Sequence, residues 1–126
     1  DISLSFREKL INARSRSTKS FVSKAMEYVE NHYFDEELSL DSVCQELGVS
    51  NSYFSTIFKK ETGKSFIGYL TDYRMVQASR MLIESNEKSY IIAKKVGYAD
   101  PNYFSYVFKR KFGVSPMKYR TEHTKE

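Results

Sequence analysis

The sequence predicts an all-α protein: two helix-turn-helix subdomains, about seven helices in all, joined by a long central linker helix. Three observations lead there. Apolar residues recur at helical spacing, and no sustained period-two run or Asn-Gly or Asp-Gly hairpin signal interrupts them. Both prolines follow a good N-capping residue, in Asp100-Pro101 and Ser115-Pro116, where proline suits the first helical position. Four of the five glycines, Gly48, Gly63, Gly97 and Gly113, close an amphipathic stretch, where a left-handed C-cap is needed.

The elements follow in order. A first helix runs from about Thr18 to Tyr33, with Phe21, Val22, Ala25, Met26 and Val29 on one face. A short second helix follows Ser39 and turns Val43, Cys44 and Leu47 inward. The third starts after Ser50 and buries Phe54, Ile57 and Phe58. A longer fourth spans about Phe66 to Glu84, with Leu70, Tyr73, Val76 and Met81 as expected core contacts. The fifth follows Ser89, with Ile92, Ala93 and Val96 inward. The sixth follows Asp100 and buries Phe104, Val107 and Phe108, and a short last helix follows Ser115 with Met117 and Tyr119. The expected divisions are a linker remnant at 1–17, a first helix-turn-helix subdomain at 18–64, the linker helix at 65–85, a second subdomain at 86–121 and a tail at 122–126.

An internal repeat supports that division. Shifted by 50, Tyr53 through Tyr69 and Tyr103 through Tyr119 share eight identities in seventeen positions: Tyr, Phe, Ser, Phe, Lys, Gly, Ser and Tyr. Upstream the register changes by one, so Val43, Cys44, Leu47 and Gly48 align with Ile92, Ala93, Val96 and Gly97, and the second copy holds one extra residue in its turn. Each copy is a short helix, a tight turn with a glycine and a capped second helix, which is the helix-turn-helix pattern.

Composition narrows the chemistry. The 126 residues are 40% hydrophobic and 29% charged, as in globular proteins, and no apolar run approaches the roughly 20 residues of a membrane span. One cysteine, Cys44, excludes an internal disulfide, and with His32 and His123 far apart it offers no zinc set or Cys-His pair. No clustered acid, base, nucleophile or metal set supports an enzyme, and no cofactor motif is present. The charge is polarised: residues 1–24 carry six basic and two acidic groups, 25–58 seven acidic groups and no lysine or arginine, and 59–126 fourteen basic and seven acidic groups. That distribution suits a polyanion on one surface. The acidic block between Glu27 and Glu46 reads most simply as a solvated face, with docking onto a basic partner as the alternative.

The outward face of each second helix is unusual. With the phenylalanines inward, Ser52, Ser55, Thr56 and Lys59 face out from one copy and Asn102, Ser105, Tyr106 and Lys109 from the other. Serine and asparagine cost helix propensity, so a solvated face would favour Glu, Lys or Gln; reading base edges in a major groove is a requirement that favours the small polar set. The linker helix, at roughly 1.5 Å per residue, separates the two copies by about 27 Å. With the width of the packed helices added, that approaches the ~34 Å repeat of the major groove. The competing reading is a helical protein-interaction module, whose binding would not depend on those faces. RNA binding is weaker still, because the aromatics fall on buried phases.

At these residues the chain resembles the DNA-binding domain of the AraC/XylS family of bacterial transcription regulators. The segment IIAKKVGYADPNYFSYVFKRKFGVSPMKYR (Ile91–Arg120) resembles the family's signature, and SLDSVCQELGVSNSYFSTIFKKETGKSFIGYL (Ser39–Leu70) its other half, with Tyr73-Arg74 and Ala78 fitting the linker helix. The wording of ETGKSFIGYL and YADPNYFS is most similar to the C-terminal output domains of two-component response regulators. The resemblance implies base contacts from Asn51, Ser52, Ser55 and Thr56, and from Asn102, Ser105 and Tyr106, the last by methyl contact and stacking more than by bidentate hydrogen bonds. It implies phosphate contacts near Lys59, Lys60, Lys64, Lys109, Arg110 and Lys111, with the first helical turns at Ser39-Leu40 and Ser89-Tyr90 offering backbone N–H groups. Tyr53 and Tyr103 are expected to pack rather than read, Cys44 to be a packed thiol and Arg74 an inter-helix contact. The implied protein is cytoplasmic, binds double-stranded DNA as a monomeric piece and carries an N-terminal receiver or sensor domain outside this sequence. It pairs as a homodimer at full length, with RNA polymerase as a further contact.

Overall fold

The computed structural model describes residues 13–124, with side chains from Ser20 onward. Most of the linker expected at 1–17, and the end of the expected tail, lie outside the described residues. Those residues form seven helices and no strand: α1 (Ala13–His32), α2 (Leu40–Leu47), α3 (Asn51–Thr62), α4 (Phe66–Glu84), α5 (Ser89–Lys95), α6 (Pro101–Phe112) and α7 (Pro116–Thr124). They fall into two compact units: α1 to Asn31 with α2, α3 and Phe66, and residues 32–38 with α4 from Ile67 through α7.

In the first unit, α2 begins where Ser39 and Ser42 cap one another. The Ser42 N–H donates to Ser39 Oγ at 3.1 Å and the Ser39 N–H donates to Ser42 Oγ at 2.9 Å, satisfying two donors that a helix end leaves open. The helix closes at Gly48, and the Val49 N–H reaches back to the Cys44 carbonyl at 3.1 Å. Ser50 then opens α3 by accepting from the Tyr53 N–H at 3.1 Å. The buried side chains are Val22, Ala25 and Val29 of α1, Val43 and Cys44 of α2, Phe54 and Phe58 of α3, and Phe66. Three of them close a triangle of rings, Phe54–Phe58 at 5.4 Å and each to Phe66 at 5.6 Å. Burial of each ring stabilises the fold by about 2–3 kcal/mol. Phe21, Met26 and Leu47, expected inward, are half-buried.

The second unit is built on α4, and here the expected core face is corrected. Val76 is 43% exposed and Tyr73 and Met81 are half-buried, whereas Leu70, Arg74, Met75, Ala78 and Leu82 are buried. The stripe turns because Arg74, a charge that periodicity assigns to solvent, is accommodated inside. Its Nε–H donates to the Tyr33 carbonyl and its Nη2–H to the Asp35 carbonyl, both at 2.9 Å, and its guanidinium lies 5.4 Å from the centre of the Tyr98 ring. The expected inter-helix role of Arg74 is thus a staple onto the acidic turn after α1.

The start of α5 is also corrected. Ser89 is already helical, and the cap is Lys88, which makes no side-chain cap bond. The reason is that the Lys88 carbonyl accepts from the Ile91 and Ile92 N–H groups at 3.0 and 3.1 Å, one residue earlier than a Ser89 cap requires. Ile92, Ala93 and Val96 are buried with Met75, Ala78, Leu82, Tyr98, Phe104 and Phe108 in one cluster. The Tyr98 N–H donates to the Ala93 carbonyl at 2.9 Å, the counterpart of Val49 and Cys44, and Ala99 is the extra residue before Asp100 caps α6 through the Asn102 N–H at 2.9 Å. After Gly113, Ser115 accepts from the Lys118 N–H at 3.2 Å and opens α7. Arg120, on α7, donates to the carbonyls of Leu82 (2.8 Å), Ser85 (3.1 Å) and Glu87 (2.7 Å), tying off the last turn of α4.

Candidate nucleic-acid interface

Each unit presents one helix with the same solvent profile. Residues 51–60 and 101–110 match position for position: three exposed, one buried, one half-buried, one exposed, one half-buried, one buried and two exposed. Phe54 and Phe58, like Phe104 and Phe108, are the buried members, so the side chains two residues away are forced outward. Ser52 and Thr56 on α3, and Asn102 and Tyr106 on α6, are exposed, while Ser55 and Ser105 are half-buried at the edge of the same faces. Within each unit the expected base-reading side chains therefore share one helix face.

Asn51 is the outlier of that set. It is the first residue of α3, and its amide donates to Asp41 Oδ1 at 3.4 Å, a long bond on a surface position. The first turn of α2 therefore carries an acidic group beside the exposed donor.

The expected phosphate contacts divide. Lys59, Lys60 and Lys64 are exposed around the end of α3, and Lys109 at the equivalent place on α6. Lys111 is ion-paired with Asp72 at 3.1 Å. Ser39 accepts the cap bond of α2 through its hydroxyl oxygen, and Ser89 is half-buried as the first helical residue of α5. Arg110 is exposed, but its Nη1–H donates to the Tyr106 hydroxyl oxygen at 3.2 Å.

Tyr53 and Tyr103, expected to pack, do so only in part: they are 45% and 55% exposed. The Tyr53 ring meets Phe21 edge to face at 6.3 Å, and the Tyr103 ring lies 5.9 Å from Tyr98 and 6.2 Å from Tyr106. Contacts from Tyr98 outward were not legible from spacing, because they link the turn before α6 to the helix surface. The Arg120 staple is likewise not legible from spacing; its one signal is an arginine a single residue after the half-buried Tyr119.

Electrostatics beneath the faces are set by burial. Burial pushes the Cys44 thiol above its ordinary range, with Asp41 adding to the shift, which fits the packed thiol expected there. Burial lowers the Arg74 guanidinium while Tyr98 and Asp35 oppose that shift, and burial raises the Tyr98 phenol while Arg74 opposes it. An arginine stays charged through such shifts. Among the described residues no three His, Cys, Asp or Glu side chains gather as metal ligands would, and no helix is long and apolar enough to cross a membrane.

Comparison with known proteins agrees with this geometry. Residues 43–122 match the model of a helix-turn-helix domain family. The HTH-type transcriptional regulator YtdP of Bacillus subtilis is 34% identical over 112 residues, 89% of this chain and 14% of that protein. The chain thus spans well under two thirds of that relative's length. Among solved structures, the C-terminal domain of AraT, a response regulator from Geobacillus stearothermophilus, superposes with a TM-score of 0.82 at 39% identity, covering 84% of this chain and 88% of that one. The C-terminal domain of the two-component response regulator yesN from Fusobacterium nucleatum gives 0.76 at 35% identity, covering 78% and 95%. The paired helix-turn-helix segments, the absence of strands among the described residues and these likenesses have one conclusion: the chain belongs to the AraC/XylS-type helix-turn-helix family, the DNA-binding domains of bacterial transcription regulators rather than enzymes.

Proposed function

We propose that the chain binds double-stranded DNA sequence-specifically through both α3 and α6, each in one of two successive major-groove segments. In this reading Asn51, Ser52, Ser55 and Thr56 face bases from the first unit, and Asn102, Ser105 and Tyr106 from the second. The exposed Lys59, Lys60, Lys64 and Lys109 serve phosphates, which fix register and affinity but carry no sequence information. Lys111 reaches a phosphate only by leaving Asp72. One observation carries the reading: the two helices keep the same solvent profile over ten residues, and Ser52, Thr56 and Asn102, small polar side chains that are poor helix formers, stand exposed on them. Packing alone would preserve the phenylalanines and leave the outward face to good helix formers.

The likeness to two response-regulator C-terminal domains supports a further part of the proposal. The chain is the output end of a longer cytoplasmic protein whose receiver or sensor domain lies N-terminal to it.

Selection of duplexes from a random pool, followed by a salt titration, tests the reading. Two short enriched blocks about 10 base pairs apart, with steep salt dependence, are expected. One block alone would leave a single reading helix. Retention of partners that are not DNA, with no enrichment at any salt, would favour a protein-interaction module.

A further inference from the structure

The two outward faces differ in one respect that their shared solvent profile conceals. On α6 a continuous series of contacts runs from the interior to the surface. The buried Arg74 guanidinium lies 5.4 Å from the centre of the Tyr98 ring. Tyr98 is 5.9 Å from Tyr103, and Tyr103 stacks on Tyr106 at 6.2 Å with 28° between the planes. One helical turn further on, the Arg110 guanidinium lies 5.8 Å from the Tyr106 ring centre and donates to its hydroxyl oxygen at 3.2 Å. Tyr106 is therefore held from the preceding turn by a ring and from the following turn by a cation, yet stays 57% exposed. The equivalent positions in the first unit are Val49, Tyr53, Thr56 and Lys60. No such series exists there, since Thr56 has no ring and the Tyr53 ring rests against Phe21 at 6.3 Å.

We infer that Arg110 is a positioning residue for Tyr106, and that Tyr106 so held distinguishes a pyrimidine with a C5 methyl group, thymine in ordinary DNA, from one without it. The inference rests on α6 being a reading helix. Its chemistry follows from what Tyr106 has left to offer. The hydroxyl oxygen accepts from Arg110 and keeps one O–H to donate, and the rest of the exposed side chain is a broad apolar ring. The apolar feature of the major groove is the thymine methyl. Asn102 and Ser105 on the same face supply the hydrogen-bonding groups that the ring lacks. Holding the ring before DNA arrives removes the ordering cost of a side chain that would otherwise rotate freely.

The test uses this chain on the duplex selected above, with each thymine replaced in turn by deoxyuridine, which deletes only the methyl group. At one thymine of the α6 block the wild type should lose about fourfold in affinity, the worth of one buried methyl-sized group. Arg110→Lys keeps the charge but not the planar fork, and should bind thymine and deoxyuridine nearly equally with an unchanged salt slope. Arg110→Met should lose the discrimination in the same way, with its salt slope falling by less than the roughly 0.9 of a lost phosphate contact. Circular dichroism should show all three folded alike, since Arg110 is exposed. If both variants keep the discrimination and Arg110→Met loses the full slope increment, Arg110 is a phosphate ligand and the inference is overturned. Specific binding with no methyl-sensitive thymine would overturn methyl reading while leaving α6 a reader. Absence of specific binding to any duplex would remove the proposed function, and this inference with it.

Discussion

The α2–α3 pair and the α5–α6 pair are two solutions to one packing problem within a single chain. Both close the short helix with a backbone bond to a small buried residue, Cys44 in one and Ala93 in the other, and both anchor the long helix on two phenylalanines four residues apart. They differ in where the third ring comes from. In the first unit Phe66 completes the cluster, and Thr62 bonds its own helix at the Phe58 carbonyl, 2.8 Å away. In the second, Pro116 stands at the place of Phe66, and Phe112, at the place of Thr62, lies 4.5 Å from Phe108 and 5.1 Å from Tyr119. Ring volume has moved by one turn while the exposed face kept its phase. Each of these two helices is thus fixed by two inward phenylalanines and a cap, and the residues around them can change.

The largest expected difference between the units lies at their turn glycines. Gly97 has φ 98°, and a Cβ there would stand 2.6 Å from the Tyr33 carbonyl oxygen and 2.9 Å from the Arg74 guanidinium. Gly48 has φ 74° and nothing within 4 Å of an added Cβ. Gly48→Ala should cost only the left-handed backbone term, about 1–2 kcal/mol. Gly97→Ala should cost about 3 kcal/mol or more, because it also displaces a buried cation from its carbonyl partners. Urea unfolding of both variants checks this. Equal losses would mean that the Tyr33 carbonyl and Arg74 can both move aside freely.

A smaller difference concerns the caps of the first helices. Ser39 and Ser42 form a complete reciprocal cap on α2, whereas Lys88 gives α5 none. Ser39→Ala should cost about 1 kcal/mol. Lys88→Ser should gain up to about 1 kcal/mol, since Lys88 already has extended backbone angles, φ −61° and ψ 148°. The same urea titrations measure both. A destabilised Lys88→Ser would show that the lysine stem contributes packing which the cap does not replace.

Much of this is legible in the sequence. The order of the helices followed from Ser39, Ser50, Asp100 and the prolines, because caps are local chemistry between residues two or three apart. Exposure of Ser52, Thr56, Asn102 and Tyr106 followed from the phenylalanine phase alone. What could not be read depends on partners distant in sequence. Arg74 turned the buried stripe of α4 toward Met75, Ala78 and Leu82 because carbonyls some 40 positions upstream accept its protons, and no periodicity signals a charge satisfied in that way. Arg120 and the Tyr98–Tyr103 contact were invisible for the same reason. The start of α5 failed differently: a serine looked like a cap, but the backbone closed its first turn on Lys88.

The smallest expected difference is a pH dependence confined to the first unit. Cys44 and Ala93 occupy equivalent buried positions, and only Cys44 can ionise. Burial raises its thiol pKa in the folded state, so the native chain keeps the proton where the unfolded chain, with a thiol pKa of about 8.5, gives it up. The contribution is fully present below that unfolded value. It is lost as pH rises from there toward the folded value, because the unfolded state alone gains the favourable ionisation. Wild-type stability should therefore fall more between about pH 8 and pH 9.5 than that of Cys44→Ala, while Ala93→Cys should add a second loss of the same sign. Stopping below the ordinary tyrosine range of about 10 keeps Tyr98, also raised by burial, out of the comparison. Parallel pH profiles for wild type and Cys44→Ala would mean that the thiol is solvated in the native state, and that the α2–α3 interior is looser than its counterpart.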